Sequence, residues 1–256
     1  MQFQTRIGKS TEDNIQVHGY DLAEELIGNI TLADMAFLGA KHRIPTENES
    51  KMLNAILVAI CEHGFTPSSL STRLTYLGAP EAVQAAVAAG LLGAGTVYFG
   101  AMEYVAEMLQ KAYAEYGDER STEELASTII KDRKEKGLQL PGLGHHIHKV
   151  VDPRTGKLFQ IAEETGFLGK HSLLLLEMHR QFCESKGKKI TLNVVGAIGA
   201  IMSDMGMDYR IVKSFAVASR AVGLVAHLVE DMERGRKDSI AQQVFKYVED
   251  NTDYRG

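Results

Sequence analysis

The chain is defined first by what it has little of. Cys61 and Cys183 are its only cysteines, too few for a disulfide-held scaffold. The opening Met-Gln-Phe-Gln-Thr-Arg lacks the apolar core of a signal peptide, so a cytoplasmic location without a structural disulfide is predicted. An excess of basic charge is also missing. With a net charge of -5 and no run of Lys or Arg longer than two, the chain has no electrostatic footprint for a nucleic-acid backbone or an anionic membrane. It has no internal repeat, no low-complexity tract and no Pro/Ser-rich linker. Alternating strand patterns are nearly missing too, with only Ile190 to Val195 reading as a possible strand. What remains is 256 residues, 45% hydrophobic and 24% charged, enough to bury a substantial core in one or two domains.

Helical punctuation fills most of the length, and the fold class predicted is all-α. Thr46-Glu47-Asn48-Glu49 after Pro45 is a capping box, in which hydroxyl and carboxylate each satisfy an orphan backbone donor. Met52, Leu53, Ile56, Leu57 and Ile60 follow at helical spacing. Ser121 to Glu124 repeats the device before a charged helix running to about Lys136. Leu22 and Leu26, then Leu32, Met35 and Ala36, predict two shorter helices, and apolar residues recur every three or four positions over 172–184 and 208–233. Ala82 to Met102 carries no charge along a length that could span a membrane. Its Ala and Gly content and unanchored flanks favour a buried helix that lets neighbouring backbones approach.

Glycine and proline concentrate in the middle of the chain, where a rigid, non-helical excursion is the natural place for chemistry. Pro141-Gly142-Leu143-Gly144-His145-His146-Ile147-His148 leads to Asp152-Pro153-Arg154, so a loop of glycines and imidazoles sits beside a guanidinium that can bind an anion. A metal site is a rival reading, although no Cys or carboxylate stands at zinc-ligand spacing, and solvated loop histidines are a third. His63, in Glu62-His63-Gly64, is a second candidate, with a helix C-cap as its plainer role. Arg220 is the only charge in an apolar helical stretch from Ala216 to Ala226 and needs an anionic partner, from the protein or from a ligand.

These segments, in this order, resemble the citrate synthase superfamily, and within it the cleaving members, citryl-CoA lyase and the C-terminal domain of ATP-citrate lyase. Gly142-Leu-Gly-His145 through Asp152-Pro153-Arg154 is similar to the family's Gly-x-Gly-His…Asp-Pro-Arg signature, with nine positions from His145 to Arg154. Glu62-His63-Gly64 and Ser219-Arg220-Ala-Val-Gly223 resemble its flanking motifs. The resemblance implies a citrate synthase-like pair of helical lobes, a small lobe (103–204) inserted in a large one (1–102 and 205–256). It implies that His145 bonds the carbonyl or hydroxyl oxygen of the oxaloacetate/citryl unit, and that His63 holds the same unit. Arg154 and Arg220 would bind carboxylates. Leu138, Pro141, Gly142, Leu143 and Gly144 would receive coenzyme A, with Lys188 and Lys189 near its phosphates. Family members are homodimers that borrow an arginine from the neighbour, for which Arg234 or Arg236 is placed. No metal and no tightly bound cofactor are implied, coenzyme A entering as part of substrate and product.

Two departures bear on the reaction. Phe99 stands where synthases carry a histidine for the acetyl-CoA enol, which matches the cleaving branch. Val195 stands where the family carries its catalytic aspartate, and Asp204 is no obvious substitute. The expected activity is cleavage of citryl-CoA, or a related carboxylated 3-hydroxyacyl-CoA, to acetyl-CoA and a 2-oxo acid. His145 would be the base, and His146, His148 or a water the acid. The alternatives are a citrate or methylcitrate synthase, or a non-catalytic acyl-CoA binding protein.

Overall fold

The computed structural model describes residues 3–117, 119–144 and 151–255. The chain begins with three short antiparallel strands, β1 (Gly8–Ser10), β2 (Ile15–Val17) and β3 (Tyr20–Asp21), in the order 1-2-3. His18 and Gly19 both have positive φ, 50° and 90°, the backbone that turns β2 tightly into β3. This sheet is an addition to the all-α expectation. Leu22–Leu26, predicted as a short α-helix, is instead a single π-helical turn closed by the Ile27 N–H on the Leu22 carbonyl.

Ten helices follow among the described residues. The first two are α1 (Leu32–Lys41) and α2 (Glu47–Cys61). The Thr46 capping box is formed in full, the Thr46 N–H donating to Glu49 Oε2 at 2.8 Å and the Glu49 N–H to Thr46 Oγ1 at 3.3 Å. Next come α3 (Pro67–Gly78) and α4 (Val83–Tyr116). Helix α5 (Thr122–Glu135) starts at the predicted Ser121 box. It is followed by α6 (Pro153–Thr165), α7 (Lys170–Lys186), α8 (Val194–Asp204), α9 (Tyr209–Asp238) and α10 (Ile240–Asp250).

Two apolar clusters hold these helices. The first joins Phe37, Met52, Leu53 and Ile56 to Met102, Leu158, Ile198, Ile201 and Phe215. The second, built from residues within 105–200, includes Val105, Leu109, Leu125, Leu174, Leu175 and Met178. Helix α4 supplies both, residues 102 and 103 lying in its part beyond Gly95.

Helix α4 also tests the small-residue reading. A Cβ on Gly90 would lie 1.9 Å from Thr72 Oγ1 and 2.9 Å from the Ser68 carbonyl oxygen, so α3 rides directly on the α4 backbone. Its opposite side is not buried, with Leu92 82% exposed. At Gly95 the backbone leaves helical values (φ 51°, ψ -158°), which kinks the helix, and beyond the kink Phe99 and Met102 are buried in the first cluster.

The possible strand at Ile190–Val195 is corrected. Leu192 makes a lone antiparallel bridge to Leu143, and the chain then enters α8 at Val194. Asn193 ends the extended stretch by accepting the Gly196 N–H on Oδ1 at 3.0 Å, a cap that overrides the β preference of two valines.

Candidate active site

One cleft of about 350 Å³ gathers residues from seven segments: His63 after α2, Thr66 and Ser68 at the start of α3, residues 94–102 around the α4 kink, Gly144, Arg154 of α6, Asn193 to Val195 at the start of α8, and Ala216 and Arg220 of α9. Thus His63, Arg154, Arg220 and Gly144, scattered along the sequence, share one space.

Each is placed by a traceable local cause. Asp152 caps α6 by accepting the Arg154 N–H at 3.1 Å, and Pro153 opens the helix. The same carboxylate takes the Arg154 guanidinium twice, Nε at 3.0 Å and Nη2 at 2.9 Å, and the Val194 N–H at 3.0 Å. It therefore pins the starts of α6 and α8 together. Burial pushes the Asp152 carboxyl up, but the Arg154 guanidinium and the Val194 N–H outweigh it and hold the group below the usual carboxylate range.

The glycine loop is stitched to the segment before α8. The Gly144 N–H donates to the Thr191 carbonyl at 2.6 Å, the Asn193 N–H to the Gly142 carbonyl at 3.0 Å, and Asn193 Nδ2 to the Gly144 carbonyl at 2.7 Å. Gly142 and Gly144 adopt φ of 86° and 87°, values that favour glycine.

Arg220 is the electrostatic centre of the cleft. It is buried, and its Nε and Nη1 have no hydrogen-bond partner. The nearest carboxylate contact is Glu62 Oε2, 3.8 Å from Nη1, too long for a hydrogen bond. Burial lowers its pKa from the ordinary value, the nearby Glu62 carboxylate opposes this, and Arg154 adds to the lowering. Two guanidiniums that feel each other beside open N–H donors make a site for an anion, because buried donors are otherwise nearly always paired. Beside the polar Thr66, Ser68, Tyr98 and Asn193, the wall has an apolar part made of Ile60, Ala94, Val97, Phe99, Met102, Val194, Val195 and Ala216.

Other expected site residues fall elsewhere. Leu138, Pro141, Gly142 and Leu143 lie along the approach to Gly144 and do not line the cleft, Leu143 packing on the second cluster. Lys188 is exposed beyond the Gly187 cap of α7. Arg236 lies past the α9 kink at Gly235, in a separate groove with Tyr76 and Pro80. His145, His146 and His148 are outside the described residues. Asp204 does structural work, accepting the N–H groups of Gly169, His171 and Ser172 and bonding His171 Nδ1 at 2.9 Å. Among the described residues no three His, Cys, Asp or Glu side chains form a metal cluster. Tyr98 and Asn193 are cleft residues that the sequence reading did not single out. Asn193 was signalled by its place ahead of a helical run, Tyr98 by nothing.

Cleft, motifs and helical frame together define the class: the chain belongs to the citrate synthase family, whose C-terminal domain matches residues 4–242. Among solved structures it is similar to citryl-CoA lyase from Hydrogenobacter thermophilus, with 33% identity, a TM-score of 0.83, and coverage of 99% of this chain and 94% of that one. It shares the fold of an ATP citrate lyase from Methanosaeta concilii in complex with (3S)-citryl-CoA, at 20% identity and a TM-score of 0.78, covering 100% of this chain and 42% of that one. Citrate synthase of Heyndrickxia coagulans is 28% identical over 200 residues, 75% of this chain and 50% of that relative. The chain spans about half the length of such curated relatives.

Proposed function

We propose that the protein is a carbon–carbon lyase that cleaves citryl-CoA, or a closely related carboxylated 3-hydroxyacyl-CoA, to acetyl-CoA and a 2-oxo acid such as oxaloacetate. One observation carries this reading: the buried Arg220 guanidinium keeps two N–H donors open beside Arg154, in a cleft that also has a broad apolar stretch of wall. That arrangement fits a polycarboxylate joined to a thioester arm. The near full-length likeness to a citryl-CoA lyase supports the same choice, as does Phe99 where synthases place a histidine.

In this reading Arg154, Arg220 and His63 hold the carboxylates and carbonyl oxygen of the 2-oxo acid unit. His145 takes the proton from the tertiary hydroxyl, the carbon–carbon bond breaks, and its electron pair passes to the thioester enolate. The enolate carbon is then protonated by His146, His148 or a water, because Val195 offers no acid. Loss of a positioned acid typically lowers the rate about 10²- to 10⁴-fold. The segment from Leu138 to Gly144 receives coenzyme A with Lys188, and a second subunit of a homodimer contributes Arg236.

The test is incubation with synthetic citryl-CoA and assay of oxaloacetate. Turnover is expected, abolished in His145→Ala, and with a Michaelis constant raised tenfold or more in Arg220→Ala, as loss of a charged hydrogen bond implies. Val195 favours a second reading, an acyl-CoA binding protein. Coenzyme A binding without turnover in wild type, and no gain of cleavage in Val195→Asp, would establish that reading instead.

A further inference from the structure

Glu62 joins two parts of the cleft that are far apart in sequence. Its Oε1 accepts the N–H groups of His63 at 2.8 Å and Gly64 at 2.5 Å, fixing the turn that presents the His63 side chain, where Gly64 takes φ of 67°. Its Oε2 accepts from His227 Nε2 at 2.9 Å and lies 3.8 Å from Arg220 Nη1. Helix α9 can bring Arg220 and His227 this close because Gly223, between them, packs against the end of α2. A Cβ there would stand 2.0 Å from the Cys61 carbonyl oxygen.

The orientation of His227 is itself determined. Arg73, fully buried, points Nε and Nη2 at His227 Nδ1, 3.2 and 2.7 Å away. A guanidinium only donates, so Nδ1 must carry the lone pair and Nε2 the proton that Glu62 receives. Arg73 is held in turn by Asp231 and Glu230, each at 2.5 Å. A continuous chain of directed hydrogen bonds thus runs from the end of α9 to the rim of the cleft.

Resting on the lyase reading above, we propose that Glu62 is a positioning residue, fixing His63 and Arg220 in the geometry that receives the carboxylates of the 2-oxo acid. Glu62 touches no substrate itself. It stays too far from Arg220 to occupy the open N–H donors, yet close enough to hold that buried cation in place.

Charge and position predict opposite results, which makes the proposal testable. Removing a negative charge beside Arg220 would by itself tighten an anion, whereas a Gln side chain, whose NH2 would meet the His227 Nε2–H donor to donor, is displaced from the position that orders His63 and Arg220, which weakens it. Calorimetric titration of Glu62→Gln with oxaloacetate and, separately, with coenzyme A is expected to show oxaloacetate weakened about tenfold or more and coenzyme A within about twofold of wild type. His227→Gln, whose amide can accept from Arg73 and donate to Glu62, is expected to lose less oxaloacetate affinity than His227→Leu, which can do neither. Unchanged or tighter oxaloacetate binding in Glu62→Gln, or equal losses in the two His227 variants, would overturn the positioning role. Wild-type protein that binds neither oxaloacetate nor citrate would overturn the lyase reading and this proposal together.

Discussion

At the scale of single residues, one carboxylate has the most to hold. Asp152 ties Arg154 to two helix starts, and its pKa is depressed in the fold. A carboxyl of this kind contributes stability that is complete above its unfolded value, near 4, and is lost as pH falls through the lower folded value. Urea midpoints measured between pH 7 and pH 3 should therefore show wild type losing stability on acidification. Asp152→Asn is expected to be less stable at pH 7 by about 1.5–3 kcal/mol, the range for hydrogen bonds to charged groups, with a shallower acid loss. An unchanged pH profile would detach Asp152 from this role. Residue-scale legibility divides along the same line. Arg220 was readable because a lone guanidinium among alanines and valines calls for an anion wherever it is buried. Glu62 was not, because its meaning depends on His227 and Arg220, which only the tertiary fold brings to it.

At the scale of elements, close backbone approach sets the frame. Gly90 leaves no room for a methyl group between α3 and α4, and α3 presents Thr66 and Ser68 to the cleft. Gly90→Ala should cost about 1–3 kcal/mol by overpacking, seen as a lower denaturant midpoint with an unchanged slope. A midpoint equal to wild type would show that α3 can shift at no cost. Helix starts at Thr46 and Ser121 were legible because a capping box is written within four residues and needs no distant partner. The β1 to β3 sheet was not, since strands of two or three residues leave no alternation to detect. Ile190 to Val195 failed for a different reason. Its β-branched residues suit a strand, but Asn193 and the buried packing of Ala197, Ile198 and Ile201 select a helix after the first turn.

At the scale of the whole molecule, the apolar wall of the site is drawn from the first cluster, through Ile60, Ala94, Phe99, Met102, Val194 and Ala216, and α4 links that cluster to the second. The helical frame could be anticipated, because periodicity reports it directly; that His63, Arg154 and Arg220 serve one unit came from the family resemblance, while the full set of seven converging segments needed the fold. Arg236 lies in a groove apart from Arg154 and Arg220 of its own chain. If it serves a neighbouring subunit, Arg236→Ala alone should lose citryl-CoA cleavage, and His145→Ala alone likewise. Mixed and refolded together, the two inactive proteins should regain activity, because a two-fold pair then contains one site with both side chains. Failure to regain it, with mixed dimers present, would confine Arg236 to its own chain.

Gly142 and Gly196 have a consequence for how this cleft can be altered. A side chain on Gly142 would meet Gly196 Cα at 2.8 Å, and one on Gly196 would meet the Gly142 carbonyl oxygen at 3.0 Å. Neither position can acquire bulk unless its opposite number retreats, and retreat would separate the loop from the first turn of α8. Redesign for a longer or branched acyl chain therefore has to proceed through the apolar wall, at Val97, Phe99 or Val195, where volume can be exchanged without parting two backbones.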